Sequence, residues 1–449
     1  GFGREGQSVY RFLKARLPKA RIAIADRHVT TLEKLISEEH SLTTELFSGP
    51  DYLESAASFS TIIRSPGVSI REIQPFLGSD SHLTSATNIF FAECPGRIVG
   101  VTGTKGKSTT SSLTAKAHAD VRLVGNIGTP MLDYLGDATS DTIFVIELSS
   151  YQLEDLRISP HVAILLNIVP EHLDYHGGFE NYREAKLNIA RHQGAHGSLI
   201  LNQNNGAISE RTDSFLGKRL SFSEQQSEVA SVFVRDGEIV IRTDSGATSL
   251  MPTIELPVIG PGNLQNALAA ITCGVALGAS RDQVRAGLAA FTPLEHRLEF
   301  VAERFGVTFF NDSLSTIPEA LAHALAALGE RVETIIAGGF DRGVDMASVG
   351  PALAASRVKN LILFPTTGAK LWQAATASAP ERAYTRVDVE NMDDAVQAAY
   401  DLTSSGKICV MSPASSSFSV FRDYRERGEK FKDAVRRLAP RAAPPADAA

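Results

Sequence analysis

The sequence has only three cysteines in 449 residues, Cys94, Cys273 and Cys409. Their odd number and wide separation exclude a disulfide framework and a zinc-spaced cluster, so a reducing, cytoplasmic setting is expected. No run of about twenty apolar residues is present, which excludes a helical membrane span. A basic stretch followed by an apolar one is also missing at the start, and the first residue is Gly1 rather than methionine, so the N-terminus reads as truncated. Lys and Arg total 44 against 51 Asp and Glu, a net charge of -7 with a pI near 5.9. That balance lacks the basic excess of a nucleic-acid surface but leaves individual anionic ligands open. No internal repeat occurs. What is there is ordinary globular composition, 43% hydrophobic and 21% charged, in a chain too long for one core. Two or three domains are expected.

The chain opens on Gly1-Phe2-Gly3-Arg4-Glu5-Gly6, a G-x-G-x-x-G run. An amphipathic stretch follows, with Val9, Phe12, Leu13 and Leu17 at helical spacing, then a short strand Ile22 to Ala25 ending at Asp26. Glycine loop, helix, strand and acid in that order make a dinucleotide-type fingerprint whose preceding strand is missing. On its own the run serves equally well as a plain tight turn. Thr61 to Val68 reads as another strand entering a Ser65-Pro66-Gly67 loop, completing a small α/β segment.

A sharper signal is Thr102-Gly103-Thr104-Lys105-Gly106-Lys107-Ser108-Thr109, between the strand Arg97 to Val101 and a helix. Small residues expose backbone N–H groups there, and the helix N-terminus adds positive potential, which makes a cradle for phosphates. Lys107 can neutralise β- and γ-phosphates, and the Ser108 or Thr109 hydroxyl can reach Mg²⁺. Strict P-loop spacing requires glycine at 101, where Val101 stands. Apolar strands at Thr142 to Ile146, Val162 to Leu166 and Ser198 to Leu201 suit a buried parallel sheet. Glu147 and His172 leave the C-terminal ends of two of them, where ligands bind in such sheets. Mg²⁺ prefers oxygen, so Glu147 is the more natural metal contact; both could equally be solvated loop residues. Ser221 to Ile254 changes character, and Asp236-Gly237 between two β-rich runs predicts a hairpin in a small antiparallel sheet. Beyond Pro293, strands at Val307 to Phe310, Thr334 to Ala337, Asn360 to Phe364 and Ile408 to Met411 alternate with alanine-rich helices, a further α/β unit. A last helix carries Phe421, Tyr424, Phe431, Val435 and Leu438 as a core-facing stripe, and the tail 440–449 is expected to be disordered.

Gly103 to Thr109, Gly125-Asn126-Ile127-Gly128, Glu147 to Leu153, Glu171-His172-Leu173-Asp174, Tyr182 to Lys186, Asn263 to Ala267, His296-Arg297-Leu298-Glu299, Asn311-Asp312-Ser313 and Ser412 to Ser417 occur in one order. In that order they resemble the Mur ligases, over almost the whole chain, and within them the glutamate-adding branch of peptidoglycan synthesis. The resemblance implies three α/β domains: a Rossmann-like UDP-substrate domain (1–94), a central P-loop-type ATPase (95–293) and a Rossmann-like glutamate-binding domain (294–439). It implies UDP-N-acetylmuramoyl-L-alanine, glutamate and ATP as substrates and Mg²⁺ as cofactor; a monomer is expected, with no nucleic-acid partner and no membrane insertion. Carried across, Gly103 to Thr109 with Asn263, Asn266, Arg297 and Asp312 contact ATP, and Ser108, Thr109, Glu147 and His172 hold metal. Lys186 matches the lysine carbamylated in this family, which would give it a metal-binding anion; otherwise it reads as a surface helix lysine. Gly3, Gly6, Asp26, Ser65, Pro66, Gly67, Asn126, Ser149 and Gln152 are the implied UDP-substrate contacts. Ser313, Thr316, Arg342, Ser417, Phe418 and Tyr424 are the implied glutamate contacts.

One departure bears on the amino acid. Members that add D-glutamate usually read Asp-Ser-Lys-Ala-Thr-Asn where this sequence has Asp312-Ser313-Leu314-Ser315-Thr316-Ile317. Leu314 removes a lysine that could pair with a carboxylate, while Gly338 to Gly343 offers Arg342, whose forked guanidinium can take a carboxylate in bidentate fashion. This combination resembles the subgroup that attaches L-glutamate. The rival readings are a folylpolyglutamate synthase-like ligase, whose phosphate loop lies nearer its N-terminus, and a non-catalytic nucleotide-binding relative, which should have lost the charged residues retained here.

Overall fold

The computed structural model describes residues 1–28, 44–116, 121–125, 129–205, 208, 212, 215–244, 246–292, 295–418 and 420–440. Asn126, Pro293 and the tail 441–449 lie outside them. The fold is mixed α/β with mostly parallel sheets, in two compact units: Gly1–Leu256 with Leu264–Phe291, and Pro257–Asn263 with Thr292–Ala449. No helix among the described residues is long and apolar enough to cross a membrane.

In the first unit, helix α1 (Arg4–Arg16) starts at Gly3, carries Glu5 in its first turn and Lys14 and Arg16 in its last, and so complements its own dipole. Two short parallel pairs follow, β1 (Ala23–Asp26) with β2 (Glu45–Ser48), and β3 (Thr61–Arg64) with β4 (His82–Ser85). Residues of β1 and β3 line opposite parts of a mostly apolar cleft of about 420 Å³, which α1 also lines through Val9, Tyr10 and Leu13. Helix α2 (Ala86–Glu93) leads into the large sheet.

That sheet contains β5 (Arg97–Thr102), β6 (Val121–Gly125), β7 (Ile143–Glu147), β8 (Val162–Leu165), β9 (Ser198–Asn202), β10 (Lys218–Ser223), β11 (Val232–Arg235), β12 (Glu238–Thr243) and β13 (Gly246–Pro252). Their order is β13-β12-β11-β10-β9-β8-β5-β7-β6. From β6 to β11 every pairing is parallel, and β11, β12 and β13 are antiparallel to one another. The predicted hairpin is present, with Asp236 and Gly237 both at positive φ, but its strands continue the large sheet through β10 rather than forming a sheet of their own. β5 lies between β7 and β8, so the chain passes to opposite sides of it, and the loop that leaves its C-terminal end stands at the switch point where such sheets bind ligands. Helices α3 (Lys107–Lys116), α4 (Phe179–Arg191), α5 (Pro261–Ala276) and α6 (Arg281–Ala289) complete the unit, the first turn of α5 counting with the second.

Val9, Phe90 and Phe91 from the N-terminal segment share one core with Ile98, Phe144 and Ile146 of the large sheet. Phe90 meets Phe144 edge to face with ring centres 5.1 Å apart, and both are fully buried.

The second unit is a six-stranded sheet of β14 (Glu299–Arg304), β15 (Val307–Asn311), β16 (Val332–Gly338), β17 (Asn360–Phe364), β18 (Thr385–Asp388) and β19 (Ile408–Met411), in the order β14-β15-β19-β16-β17-β18. Only the β14–β15 pairing is antiparallel. Helices α7 (Pro318–Leu328), α8 (Val349–Ala355), α9 (Gly368–Ser378), α10 (Met392–Leu402) and α11 (Tyr424–Arg437) cover it, with Phe431 and Val435 of α11 buried as the sequence stripe predicts.

Because Phe90 joins the N-terminal segment to the large sheet, Phe90→Ala is expected to cost about 3 to 5 kcal/mol in chemical denaturation. Limited proteolysis of the variant should cut first in the segment before Arg97.

Candidate functional site

The loop Gly103–Gly106 joins β5 to α3 in a shape that needs glycine at two places. Gly106 has φ +89, and a Cβ there would collide with Asn266 Oδ1; a Cβ on Gly103 would lie 2.9 Å from Leu166 Cβ. Asn167, just beyond β8, fixes the loop from the side. Its backbone O accepts from Thr104 N at 2.8 Å, its Oδ1 accepts from Lys105 N at 2.8 Å, and its Nδ2 donates to Lys105 O at 3.0 Å. Thr104 Oγ1 lies 2.9 Å from the Tyr182 hydroxyl. Lys107 Nζ reaches back over the loop to Gly103 O at 3.0 Å and Thr104 O at 3.1 Å. Ser108 is half-buried and Thr109 is buried at the first turn of α3. Asn266, implied at the nucleotide, is buried behind Gly106 and accepts from Thr110 Oγ1 at 3.2 Å. Asn263 donates to Ile259 O at 2.8 Å in the first turn of α5.

Lys107, Glu171, His172, Tyr182 and Lys186 line a cavity of about 390 Å³. Its other walls come from Arg4, Glu5 and Pro66 of the N-terminal segment and from Ser149 to Gln152 after β7. Ser149 and Gln152 cap each other's backbone, and Gln152 Nε2 also reaches Glu5 Oε1 at 3.3 Å. Of the other N-terminal residues, Asp26 holds the glycine loop itself, accepting from Phe2 N at 2.6 Å and His28 N at 2.8 Å. Gly6 has no room for a side chain beside Gly1 O, whereas Gly3 and Gly67 have open space. Ser65 Oγ donates to Gly1 O at 2.9 Å.

In the second unit the implied glutamate contacts stand on loops after β15, β16 and β19, apart from Tyr424, which opens α11. Ser412 Oγ donates to Asp312 Oδ2 at 2.8 Å, and burial pushes the Asp312 carboxyl up to about 6. Ser313 is fully buried; its hydroxyl donates to Tyr424 O at 2.7 Å and accepts from Arg427 Nε at 3.0 Å, so it supports the loop from behind. Arg427 also donates to Ser313 O at 2.8 Å and Ser415 O at 3.0 Å. Ser417 is buried, Thr316 and Tyr424 are half-buried, and Arg342 is exposed with its guanidinium 5.4 Å from the centre of the Phe418 ring. Arg297 is half-buried on the turn after His296, whose φ of 63° is left-handed.

The sequence matches the Mur ligase middle domain over residues 101–274 and the Mur ligase glutamate ligase domain over residues 296–415. It is 33% identical to a UDP-N-acetylmuramoylalanine--D-glutamate ligase of Acetivibrio thermocellus over 426 residues, 91% of each chain. The chain belongs to the Mur ligase family. Another relative of the same description, from Acidobacterium capsulatum, is 33% identical over 447 residues, 97% of this chain and 95% of its own. Among solved structures, the MurF ligase of Thermotoga maritima in complex with ADP aligns with a TM-score of 0.60 at 16% identity, covering 94% of this chain and 97% of that one. As a Mur ligase the chain is an ATP-dependent enzyme that forms an amide bond and releases ADP.

The electrostatics of this Mur ligase cavity turn on its bases. Burial, with the Lys107 charge beside it, holds the Lys186 amine well below the usual lysine range, despite Glu171 and Glu147 nearby. Lys186 is 1% exposed, donates to Gly103 O at 2.9 Å and sits 4.8 Å from the centre of the Tyr182 ring. Burial also lowers His172, with Lys186 and Lys107 acting in the same sense and Glu171 against them. The shift favours the neutral imidazole, the form that can ligate a metal. Glu171 is pushed up by burial, but the 2.8 Å hydrogen bond from Lys105 and the neighbouring cations bring it below the usual carboxylate range. The buried Glu147 carboxylate, the Ser108 and Thr109 hydroxyls and the His172 imidazole are a donor set whose chemistry fits a hard cation beside phosphates.

Asn167, Glu171, Tyr182 and Glu5 were not assigned a role from sequence. Asn167 carries the one readable signal, a polar residue directly after an apolar strand; the others depend on partners 66 to 147 residues away.

Folding lowers the Lys186 value, so the folded chain binds fewer protons than the unfolded one, and this group's contribution to stability rises with pH up to the ordinary lysine value. In CO₂-free buffer at pH 7, Lys186→Met should raise the Tm by roughly 2 to 4 °C while abolishing ligation. It should also flatten the rise of stability with pH between about 7 and 10.

Proposed function

We propose that the chain joins glutamate, with L-glutamate favoured, to UDP-N-acetylmuramoyl-L-alanine in the synthesis of peptidoglycan precursors. The supporting observation is the 390 Å³ cavity, in which Lys107, His172 and Lys186 share walls with Arg4, Glu5 and Pro66 of the N-terminal segment. On this reading residues 1–94 bind the sugar nucleotide, 95–293 bind ATP and 294–439 bind the amino acid.

The terminal carboxylate oxygen of the sugar nucleotide attacks the γ-phosphorus of ATP, the bond to the β-phosphate oxygen breaks, and an acyl phosphate and ADP result. The glutamate amine then attacks the acyl carbon and displaces phosphate, leaving the amide. Both reactants of the first step are anions, so charge compensation and alignment carry the catalysis. Lys107 exchanges its contacts with Gly103 O and Thr104 O for the β- and γ-phosphates, and the N-terminus of α3 faces the same groups. The Ser108 or Thr109 hydroxyl, Glu147 and His172 would hold Mg²⁺. When bound, Mg²⁺ supplies further neutralisation of the phosphates and of the attacking carboxylate. The Lys186 amine, whose ammonium form burial disfavours, adds in its neutral form to the carbon of CO₂ and loses a proton, which gives a carbamate anion with two further oxygen donors.

The L-glutamate preference rests on Leu314, where lysine stands in members that add D-glutamate, and on Arg342 beside Phe340 and Phe418. Phe340 and Phe418 are both substantially exposed and meet edge to face at 6.4 Å, and the Arg342 fork can take the side-chain carboxylate in bidentate fashion. The relatives reported above carry D-glutamate in their descriptions.

Phosphate release with ATP and UDP-N-acetylmuramoyl-L-alanine should depend on glutamate and be faster with the L enantiomer. Absence of release with either enantiomer would sink the reading, and a strong preference for D-glutamate would sink its stereochemical part. Under ¹³CO₂ the wild-type protein should show a carbamate carbon resonance that Lys186→Met lacks.

A further inference from the structure

Two arginines of the N-terminal segment end on the turn that carries His172. Arg64 has no exposed side-chain surface; Nη1 donates to Val68 O at 2.7 Å and to the Tyr175 hydroxyl at 3.0 Å, and Nη2 donates to Tyr151 O and Asp155 Oδ1, both at 2.9 Å. The Tyr175 hydroxyl donates in turn to Pro66 O at 2.8 Å. Arg71 Nη2 donates to Asp174 O at 2.9 Å and Tyr175 O at 2.7 Å. Its Nη1 occupies the space a side chain on Gly177 would need, and Gly177 has φ +73. The Leu173–His176 turn thus gives two carbonyls to Arg71 and one hydroxyl to the Ser65–Val68 loop.

The same turn is tied to the reaction cavity through its rings. Tyr175 lies 4.2 Å from Tyr151, and Tyr151 lies 5.1 Å from His172. His176 Nε2 is 3.0 Å from Ser150 Oγ, next to the Ser149–Gln152 cap. Pro66 and His172 line one cavity. The Pro66 loop is thus linked through the Tyr175 hydroxyl to the backbone that holds His172, and Arg71 holds two carbonyls of that same backbone.

We propose that Tyr175 and Arg71 are positioning residues that hold the Ser65–Val68 loop and the His172-bearing turn in one register. Neither touches the reacting atoms. The proposal rests on the ligase reading above for its effect on turnover, because misplacement by about 1 Å between reacting groups can cost about a hundredfold in rate. The hydrogen bonds themselves hold whichever sugar nucleotide is used.

Tyr175→Phe keeps the ring and its tilted contact with Tyr151 while removing the hydroxyl that meets Pro66 O, Arg64 Nη1 and Glu154 Oε2. Its expected effect is a rise of roughly tenfold in the KM for UDP-N-acetylmuramoyl-L-alanine and a similar fall in kcat, with the KM for glutamate changed by less than about twofold. Arg71→Met should act in the same direction and Arg71→Lys should recover part of the loss. A merely structural role would lower Tm without separating the two KM values. Amide hydrogen exchange gives a second readout that needs no turnover: Tyr175→Phe and Arg71→Met should each speed exchange at both 65–68 and 172–177. If the wild type fails to turn over these substrates, the substrate reading fails and exchange alone decides the coupling. Unchanged exchange at 172–177 in both variants, or wild-type KM and kcat in both, would overturn the proposal.

Discussion

An amine buried next to another lysine cannot keep its proton cheaply, and the first unit is arranged around that constraint. Lys186 comes from the middle of α4, lies over the Tyr182 ring and gives its hydrogen bond to Gly103 O, the carbonyl that also receives Lys107. Desolvation disfavours the ammonium, and the Lys107 charge adds to it. Lys107 and Lys186 thus converge on one loop carbonyl, and burial disfavours the charged form of Lys186. On the proposed reading the first meets phosphates and the second becomes an anion, so two identical side chains take opposite charges a few ångströms apart. A second exposed lysine could not be used that way, because its amine would stay protonated at pH 7.

The same economy of elements runs through the rest of the unit. The glycine loop is held by Asn167 just beyond β8 and by Tyr182 from α4, and Asn266 from α5 accepts from Thr110 in the helix that follows the loop. The His172 turn is braced by arginines from a segment a hundred residues earlier. In the second unit Arg427 does the corresponding work, tying the loops after β15 and β19 through three carbonyl and hydroxyl contacts while burial lowers its own value to about 9. Buried cations bound to carbonyl oxygens recur wherever loops at strand ends must keep a fixed spacing.

Local chemistry was readable in the sequence where it depends on neighbours in the chain. The unbroken apolar runs at Val162 to Leu166 and Ser198 to Leu201 fall on β8 and β9, Asp236-Gly237 makes its hairpin, and Gly103 to Thr109 makes the strand-loop-helix turn. Asn360–Phe364 and Ile408–Met411 are strands with the same limits that their apolar pattern gives. Long-range partnerships were not readable. Lys186 looks like any lysine on an amphipathic helix, and only the fold shows that its face of α4 turns inward. Arg64, Arg71 and Tyr175 carry no local signal, because most of their partners are backbone carbonyls that every residue has and the side-chain partners of Arg64 lie about ninety or more residues away. The joining of β10 to β13 onto the large sheet also escaped, since a pairing such as β9 with β10 depends on register between segments and leaves no periodic mark.

The claim on which the account stands is that Lys186 is neutral in the resting protein. Heteronuclear NMR on protein labelled at the lysine side chains, assigned with Lys186→Met and recorded in CO₂-free buffer, would follow that amine directly through a titration. The account predicts that Lys186 titrates well below the other lysines and is deprotonated at pH 7. A Lys186 signal that titrates with the exposed lysines, near their ordinary value of about 10.4, would contradict it.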